Sequence, residues 1–600
     1  MDRRRFLKAM LATGSTAWLV GCYSDGVTQS SYRNPVTFQS TGQAAGLLNA
    51  DLLAEDFQID PAIDPNPIFS LSVASGDPRP HGIVLWTRVD PQAMANPQKP
   101  GMVAFEIATD PGFARGSVRV RGLAQLDASR DYTVKLPIEH DALAPFQHYY
   151  YRFIYQKAAS RTGRFKTLPA PDAAVEQVSF AFVSCQDYSN GYYTALAHLA
   201  RESVDFVVFL GDYIYETVSD PSFQGAQVRP VPPLPSGRTA AADLADYRHL
   251  YRVYKADPNA QAVHERFTFI QLWDDHEFAN DCYQDYHPDN NPSPGTPTPA
   301  LRQAANQAWS EYGLADVSFD PQRPPLESIR TYRSFRFGQL MELVATDERL
   351  YRDGPVCGND TLQRYLSLRC AAAESPARTM LGASQRDWFL DTMRQSTATW
   401  KLWANEVTLM QMRVLAGFVN LDQWDGYPAE RANLLSSLAL SGVKNLVAIT
   451  GDIHSFIAGY LKTDFDDLFA PPVGVELVVG SVTSANLLEL AASQVPLPSA
   501  PMPLPIPTPA GMSVESVLMA SNPHMRYFNS STHGYCLMEV RPEAATCVMK
   551  AVSTIREPQA TLSTLRTFVI PRDRVELVPV WRPALSRLRL GAGGAPRASD

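Results

Sequence analysis

Six short runs of apolar residues between positions 179 and 449 have the composition of buried β-strands, and stretches with helical character separate them. This alternation predicts a layered domain of mixed α and β structure over residues 172–583. The predicted strands are 179–183, 204–210, 267–273, 340–345, 399–403 and 445–449.

The chain before this domain follows a different pattern. Short β-type runs occur at 82–86, 103–107, 117–120, 132–136, 149–155 and 161–167, with turn residues between them. Their spacing is typical of an all-β sandwich of about 100 residues, which we place at 68–169. The predicted fold class is therefore α+β, an N-terminal β-sandwich followed by a layered α/β domain.

The two ends of the chain are not assigned to either domain. Arg3 and Arg4, followed by the apolar run 9–20, fit a twin-arginine export signal over residues 1–22. The sequence ending at Cys22 also resembles a lipoprotein cleavage box, so this cysteine carries a lipid anchor or the protein is simply cleaved nearby and released. We expect residues 23–67 to form a linker or arm and residues 584–600 to form a frayed tail.

Export by this route predicts a periplasmic or extracellular protein that interacts with the twin-arginine translocase. The formal net charge of -9 provides no basic field, so we expect no specific nucleic-acid partner. No second apolar run is long enough to span a bilayer. In an oxidising compartment, Cys357 with Cys370 and Cys536 with Cys547 are candidate disulfides, although sequence alone leaves the connectivity open.

Polar and ionisable residues follow nearly every predicted strand of the larger domain. Several carboxylates gathered at one sheet edge would repel one another and raise each other's pKa unless cations neutralise them. The pattern therefore predicts a metal centre. The segments concerned are 184–186, 211–216, 274–277, 280–281, 347–349, 405–406 and 451–454.

The residue types in these segments divide into two metal sites. Cys185, Tyr215 and His454 suit iron or another transition ion, whereas Asp275 and Asp452 suit a harder ion such as calcium or magnesium. Asp212 could bridge the two. A metal pair of this kind clamps the attacking and leaving oxygens of a phosphoryl displacement.

Three motifs resemble those of the PhoD-like (alkaline phosphatase D) family, relatives of the purple acid phosphatases. They are Gly-Asp-x-x-Tyr at 211–215, Trp-Asp-Asp-His-Glu at 273–277 and Gly-Asp-x-His at 451–454. Residues 347–352, 522–524 and 533–535 also match that pattern. The resemblance covers most of the chain and implies a catalytic domain of two packed mixed sheets flanked by helices.

The resemblance also implies the metals and their ligands. Ferric iron (Fe3+) would be bound by Cys185, Asp212, Tyr215 and His454. Asp212 would bridge to calcium (Ca2+), which Asp275, Asp452 and Asn405 would also hold, with Glu406 as the alternative to Asn405. Asp274-Asp275-His276 stands where purple acid phosphatases have Gly-Asn-His, and the additional carboxylate favours a hard divalent ion over zinc.

Each proposed ligand also has an ordinary structural interpretation. Cys185 could be an inert buried thiol, Tyr215 a packing tyrosine, and Asp275 and Asp452 helix caps.

The predicted catalytic residues are Asp212, His276 and Arg349. His276 either protonates the leaving oxygen or supports a metal ligand. Arg349 either binds substrate phosphate or forms an ion pair.

The predicted function is hydrolysis of phosphomonoesters, phosphodiesters or both, by attack of a metal-bound hydroxide on phosphorus. The substrate would be a small-molecule or lipid phosphate ester. The alternatives are a phospholipase D-like or nucleotide-cleaving metallohydrolase and, less favoured, a surface protein that binds without turnover.

Overall fold

The structure of the protein is a computed structural model. It describes residues 54–218, 224, 227–288, 296–358, 364, 366–368, 370–414, 417–492 and 513–580. The predicted export signal, most of the predicted arm and the predicted tail lie outside these residues. Among the helices described, none is long and apolar enough to cross a membrane.

A ten-stranded sheet runs through most of the molecule. Strands β9, β10, β11 and β1 are parallel neighbours at its centre, so their carboxyl ends meet at one edge. In sheet order the strands are β25 (Val578–Val580), β24 (Leu562–Pro571), β23 (Ala544–Val552), β22 (His533–Val540), β9 (Val178–Val183), β10 (Phe206–Leu210), β11 (Thr268–Leu272), β1 (Val73–Arg79), β2 (Gly82–Arg88) and β5 (Thr133–Glu139).

A seven-stranded sheet packs against the first. Phe180, Phe182 and Val208 of the ten-stranded sheet share one buried core with Leu402 and Ile449 of the other. Its central strands β13, β15, β18 and β20 are parallel. In sheet order its strands are β12 (Arg333–Phe337), β13 (Met341–Ala345), β15 (Trp400–Asn405), β18 (Leu446–Thr450), β20 (Pro472–Val478), β19 (Phe456–Lys462) and β21 (Met525–Asn529).

Helices cover the outer faces of both sheets. The ten-stranded sheet is covered by α1 (Thr194–Leu199), α2 (Leu244–Lys255), α3 (Pro258–Arg266) and α4 (Pro299–Tyr312). The seven-stranded sheet is covered by α5 (Ala383–Gln395), α6 (Pro428–Leu440) and α8 (Val514–Ser521), while α7 (Leu487–Ala492) follows β20. Two packed mixed sheets flanked by helices confirm the predicted α+β class, and each of the six predicted strands is present.

The N-terminal region is a sandwich that shares a sheet with the larger domain. Strands β4 (Val118–Gln125), β3 (Met102–Ala108), β6 (His148–Tyr155), β7 (Ala158–Ala159) and β8 (Gly163–Lys166) form its outer sheet. Its inner sheet consists of β1, β2 and β5, and a buried apolar core lies between the two. Because β1 also pairs with β11, at Ser75 and Thr268, the inner sheet continues directly into the ten-stranded sheet.

A small third sheet consists of β14 (Leu366–Ser367), β17 (Gly417–Val419) and β16 (Arg413–Val414). Part of the predicted arm is ordered, since Ala54–Phe57 forms a 3-10 helix and the guanidinium of Arg121 lies 4.8 Å from the ring centre of Phe57.

One of the two predicted disulfides is present. Cys357 and Cys370 are bonded, with their Cα atoms 5.6 Å apart. The prediction of a bond between Cys536 and Cys547 is wrong, since both are buried free thiols. Cys536 pairs with Met549 and Cys547 with Met538, so the two cysteines are diagonal neighbours on β22 and β23. Residues at diagonal positions do not oppose each other directly, so their side chains are not aligned for the specific geometry of a disulfide.

Candidate metal centre

The loops that follow β9, β10 and β18 hold the proposed ligands in an uncommon backbone conformation. Cys185, Asp212, Asp452 and His454 all have positive φ values, between 52° and 62°. Non-glycine residues with such values are uncommon and cluster at functional sites, where the surrounding structure enforces them. The loop after β10 also requires Gly211, because a Cβ there would lie 2.4 Å from the Cβ of Asp274. The sharp turns point the ligand side chains at one another.

The four residues predicted to bind iron lie together. Ligand atoms of Cys185, Asp212 and His454 are within 4.8 Å of one another. The hydroxyl of Tyr215 donates to Asp212 Oδ2 at 3.1 Å and lies 3.2 Å from His454 Nε2. His454 Nδ1 is 2.7 Å from the carbonyl oxygen of Ala485, which fixes the ring and leaves Nε2 facing the group. We call these four residues the Cys185 cluster.

A second set of ligands, which bind through oxygen, lies beside the Cys185 cluster. Carboxylate oxygens of Asp274, Asp275 and Asp452 lie within 4.8 Å of one another, as do ligand atoms of Asp212, Asp275 and His276. Asp212 therefore belongs to both sets, as a bridging ligand must. We call Asp212, Asp275 and Asp452 the Asp275 cluster.

Burial disfavours the charged forms of these ligands. It raises the pKa of Cys185 well above its usual value, and the negative charge of Asp212 raises it further. Burial likewise raises the pKa of Asp212 and Tyr215, and it raises the pKa of Asp452 to about 6. A cation would reverse this cost, because thiolate, phenolate and carboxylate become stable once they bind one. The donor atoms thus fit a metal centre.

Arg349 supplies positive charge within this region. Its Nη2 donates to Asp452 Oδ1 at 2.9 Å and lies 3.6 Å from Asp275 Oδ1. Its Nη1 donates to Asp422 Oδ2 at 2.5 Å, and its Nε donates to Asp274. The side chain is fully buried, and the aspartates raise its pKa although burial opposes this. Of the two predicted roles for Arg349, these contacts favour the ion pair over phosphate binding.

His276 is held by a buried carboxylate. Its Nδ1 lies 2.7 Å from Glu216 Oε2. Its ring stacks on that of Tyr215, with centroids 3.9 Å apart. These contacts place the imidazole beside both ligand groups.

Comparisons with known proteins address the resemblance. Residues 180–549, more than half of the chain, match the family model of the PhoD-like phosphatases, and residues 57–169 match the model of the N-terminal domain of those proteins.

The chain belongs to the PhoD-like phosphatase family.

One relative in this family is alkaline phosphatase D of Bacillus subtilis strain 168. It is 31% identical over 575 residues, which cover 93% of this chain and 91% of the relative. A solved structure described as "Structure of PhoD" matches with a TM-score of 0.73 and 31% identity, over 85% of this chain and 92% of the other. The resemblance inferred from the motifs is thereby confirmed, and membership of the PhoD-like family supports a phosphatase function.

In this PhoD-like chain the side chain of Asn405, which the sequence predicts to bind calcium, forms hydrogen bonds with neighbouring protein atoms. Its Oδ1 accepts from Trp424 Nε1 at 3.0 Å, and its Nδ2 donates to the carbonyl of Val407 and to Thr450 Oγ1. Both polar side-chain atoms of Asn405 thus have hydrogen-bond partners. The alternative, Glu406, accepts from the backbone N–H of Glu348 at 2.7 Å. Among the residues that the structure describes, Glu406 Oε1 has no hydrogen-bond partner, and the amide oxygen of Asn405 can accept a second bond. The ligand role of Asn405, with Glu406 as the alternative, therefore stays a prediction.

Sequence reasoning missed two residues of the loop before α6. Asp422 binds both Arg349 and Arg352, and Gln423 Nε2 donates to Asp452 Oδ2 at 2.5 Å. Neither follows one of the six strands predicted from the sequence, so the rule that located the other residues does not apply to them. Their polar character alone does not separate them from ordinary loop residues.

Sequence reasoning also missed the role of Glu277. Its carboxylate accepts from the backbone N–H groups of Asp212 at 3.1 Å, Tyr213 at 2.6 Å and Asp274 at 2.7 Å. One side chain therefore joins the loops after β10 and β11. A glutamate within the motif at 273–277 was visible, but its partners depend on the tertiary fold.

Proposed function

We propose that this chain is a metal-dependent phosphoesterase that hydrolyses phosphomonoesters, phosphodiesters or both. The proposal rests on one observation: the Cys185 cluster and the Asp275 cluster share the residue Asp212. Thiolate, phenolate and imidazole together suit Fe3+, and carboxylate oxygens suit Ca2+. Family membership supports the phosphatase chemistry.

The two cations, when bound, would supply a nucleophilic oxygen near neutral pH and offset the negative charge of the phosphoryl group. The protein's own residues have three further tasks in this proposal. Asp212 would be a ligand to both cations. His276 gives a proton to the leaving oxygen. Arg349 offsets the charge of Asp275 and Asp452, so that these carboxylates stay close together.

We also propose that the protein is exported by the twin-arginine pathway, with Cys22 as a lipid anchor or with release after cleavage. The disulfide between Cys357 and Cys370 supports an oxidising compartment. The substrate would then be a small-molecule or lipid phosphate ester outside the cytoplasm.

Hydrolysis assays before and after chelation test this function. Protein purified from its export pathway should hydrolyse a chromogenic phosphomonoester, its diester or both, and should lose turnover with a chelator and regain it with iron and calcium. Cys185→Ser should lose activity, whereas Cys536→Ser, which changes a buried thiol in the core between the sheets, should keep it. Turnover that survives chelation would contradict the proposal, as would equal activity of the two variants.

A further inference from the structure

The outer sheet of the N-terminal sandwich carries arginines on the face that points away from the sandwich core. Side chains alternate between the two faces of a strand. Tyr151 of β6 and Phe165 of β8 lie in the core, so their neighbours Arg152 and Arg164 lie on the outer face. Arg266 borders this face, because its carbonyl oxygen accepts from Arg164 Nε at 3.1 Å. We call six arginines on this face and at its borders the basic face: Arg115, Arg119, Arg121, Arg152, Arg164 and Arg266.

The turn between β3 and β4 also lies against this face. The ring centre of Phe113 in this turn is 4.0 Å from the guanidinium of Arg152. Arg115 in the same turn and Arg119 on the edge strand β4 are exposed. Within the described part of the chain, neither of these two arginines pairs with a carboxylate. Their charges are therefore open to a partner outside the protein.

Carboxylates at the basic face are fewer than arginines. Glu106 opposes Arg121 of β4 and Arg152 of β6, and it binds them at 3.0 Å and 2.7 Å. The Glu106 side chain is 2% exposed and the Arg121 side chain 44%, so the cation meets solvent and the carboxylate does not. The formal net charge of the whole chain is -9, so the arginines here run against the overall charge. The other acidic residues beside the face are Glu55, Asp56 and Asp110.

His148 of β6 responds to the positive charge at this end of the sheet. Burial, together with the charges of Arg164 and Lys166, lowers its pKa to about 4. Asp205 pairs with Lys166 at 2.6 Å and acts on the pKa of His148 in the opposite direction, but less strongly than the two cations. The local electrostatic potential is therefore positive.

The proposed tether reaches the folded body at the same face. The 3-10 helix Ala54–Phe57 lies on it, with the Phe57 ring beside the guanidinium of Arg121. Residues 23–53 connect this helix to Cys22, the proposed lipid anchor. An anchor at Cys22 would thus attach the body to a membrane through the basic face.

We propose that the basic face docks on a membrane with anionic lipid head groups. Guanidinium groups bind phosphate through paired N–H donors, and the negative surface potential of such a membrane attracts each arginine near it. A lipid anchor fixes where the chain is attached but not which side of the body meets the membrane, and the basic face supplies that orientation. The inference uses the proposed export and lipid anchor, and it is independent of the proposed hydrolysis.

Vesicle binding by the full chain without lipid on Cys22 tests the face alone. The unchanged chain should bind vesicles of phosphatidylglycerol and phosphatidylcholine in equal parts, and should not bind vesicles of phosphatidylcholine only. The double variant Arg115→Gln, Arg119→Gln should bind the mixed vesicles about 25-fold more weakly, since each arginine near an anionic surface contributes about fivefold. Residues 1–22 are the same in both proteins, so their own affinity for lipid leaves the ratio unchanged.

A second double variant, Arg323→Gln with Arg574→Gln, is the matched control. It removes the same charge from two arginines outside the sandwich, whose side chains are 62% and 66% exposed. This variant should bind the mixed vesicles as tightly as the unchanged chain. Binding of the unchanged chain should also disappear in 1 M salt, where the screening length falls to about 3 Å.

Three results would overturn the proposal. The first is equal weakening by the two double variants, which would show a general effect of net charge. The second is equal binding to the mixed and the phosphatidylcholine vesicles. The third is retention on heparin without binding to the mixed vesicles, which would assign the face to a soluble polyanion. None of these results bears on the hydrolysis of phosphate esters, so the proposed function is tested separately.

Discussion

Tyr215 lies between a carboxylate and an imidazole, with its hydroxyl 3.1 Å from Asp212 Oδ2 and 3.2 Å from His454 Nε2. It is buried, and burial raises the pKa of its phenol. A tyrosine in this position is expected to ionise only when a cation binds it. Its residue type and its spacing from Asp212 were the signals that sequence offered for this role.

We predict that Tyr215→Phe removes the phenolate-to-iron absorption band of the purified protein. Iron affinity should fall by at least about tenfold, the lower limit for losing even an outer partner of a metal site. Visible absorption and iron content measure the two effects. Tyr213→Phe is the control, because the Tyr213 hydroxyl forms a hydrogen bond with His264 and not with the Cys185 cluster. A coloured Tyr215→Phe protein with full iron content would show that this phenol is not a ligand.

Metal binding should release protons. Asp452 has a pKa raised to about 6 by burial, and the pKa values of Asp212 and Cys185 are also raised. Groups with raised pKa values hold more protons at a given pH, and a cation must displace them. The apparent affinity for metal should therefore fall as the pH is lowered. Calorimetric titration in two buffers of different ionisation enthalpy measures the number of protons released, and a value of zero would contradict the prediction.

At the scale of elements, the site depends on how strand-end loops are tied together. The rule that parallel strands present their carboxyl ends at one edge was enough to predict the segments after β9, β10, β11 and β18. It could not predict which side chains of those segments turn toward the proposed metal centre. That choice depends on positive φ values and on bonds between loops, neither of which has a local sequence pattern.

We predict that Glu277→Gln weakens metal binding. The carboxylate accepts from three backbone N–H groups, and an amide must turn its NH2 toward at least one of them, at a cost of about 1–3 kcal/mol. Thermal stability should fall together with metal affinity. Glu430→Gln is the control, since Glu430 accepts from the backbone N–H groups of Met380 and Leu381 instead. It should lose stability alone, and equal loss of metal in both variants would contradict the prediction.

At the scale of the whole molecule, the sandwich and the larger domain share one continuous sheet. Strand β1 joins them, although its sequence VASGDPR contains residues that are depleted in strands. Gly76 is needed there because a Cβ would lie 2.2 Å from the carbonyl oxygen of Leu314. Asp77 in the same strand forms a bidentate pair with Arg333 of β12. Only the tertiary packing explains these residues, so periodicity could not reveal the strand.

The disulfide between Cys357 and Cys370 closes a short loop, with a sequence separation of 13. We predict that reducing agent lowers the stability of the protein toward denaturant by up to about 3 kcal/mol. The Cys357→Ser variant should start at this lower stability and should not respond to reductant. An unchanged denaturation midpoint on reduction of the natural protein would contradict the prediction.

The most direct test of the proposed metal centre is a crystal structure of the metal-loaded protein with anomalous diffraction measured at the iron absorption edge. We predict an iron peak between Cys185, Asp212, Tyr215 and His454. A lighter ion should lie beside it, bound by Asp212, Asp275 and Asp452. A metal bound instead by Asp275, Asp281 and Asp422 would contradict the proposed metal centre. The absence of iron from the Cys185 cluster would also contradict it.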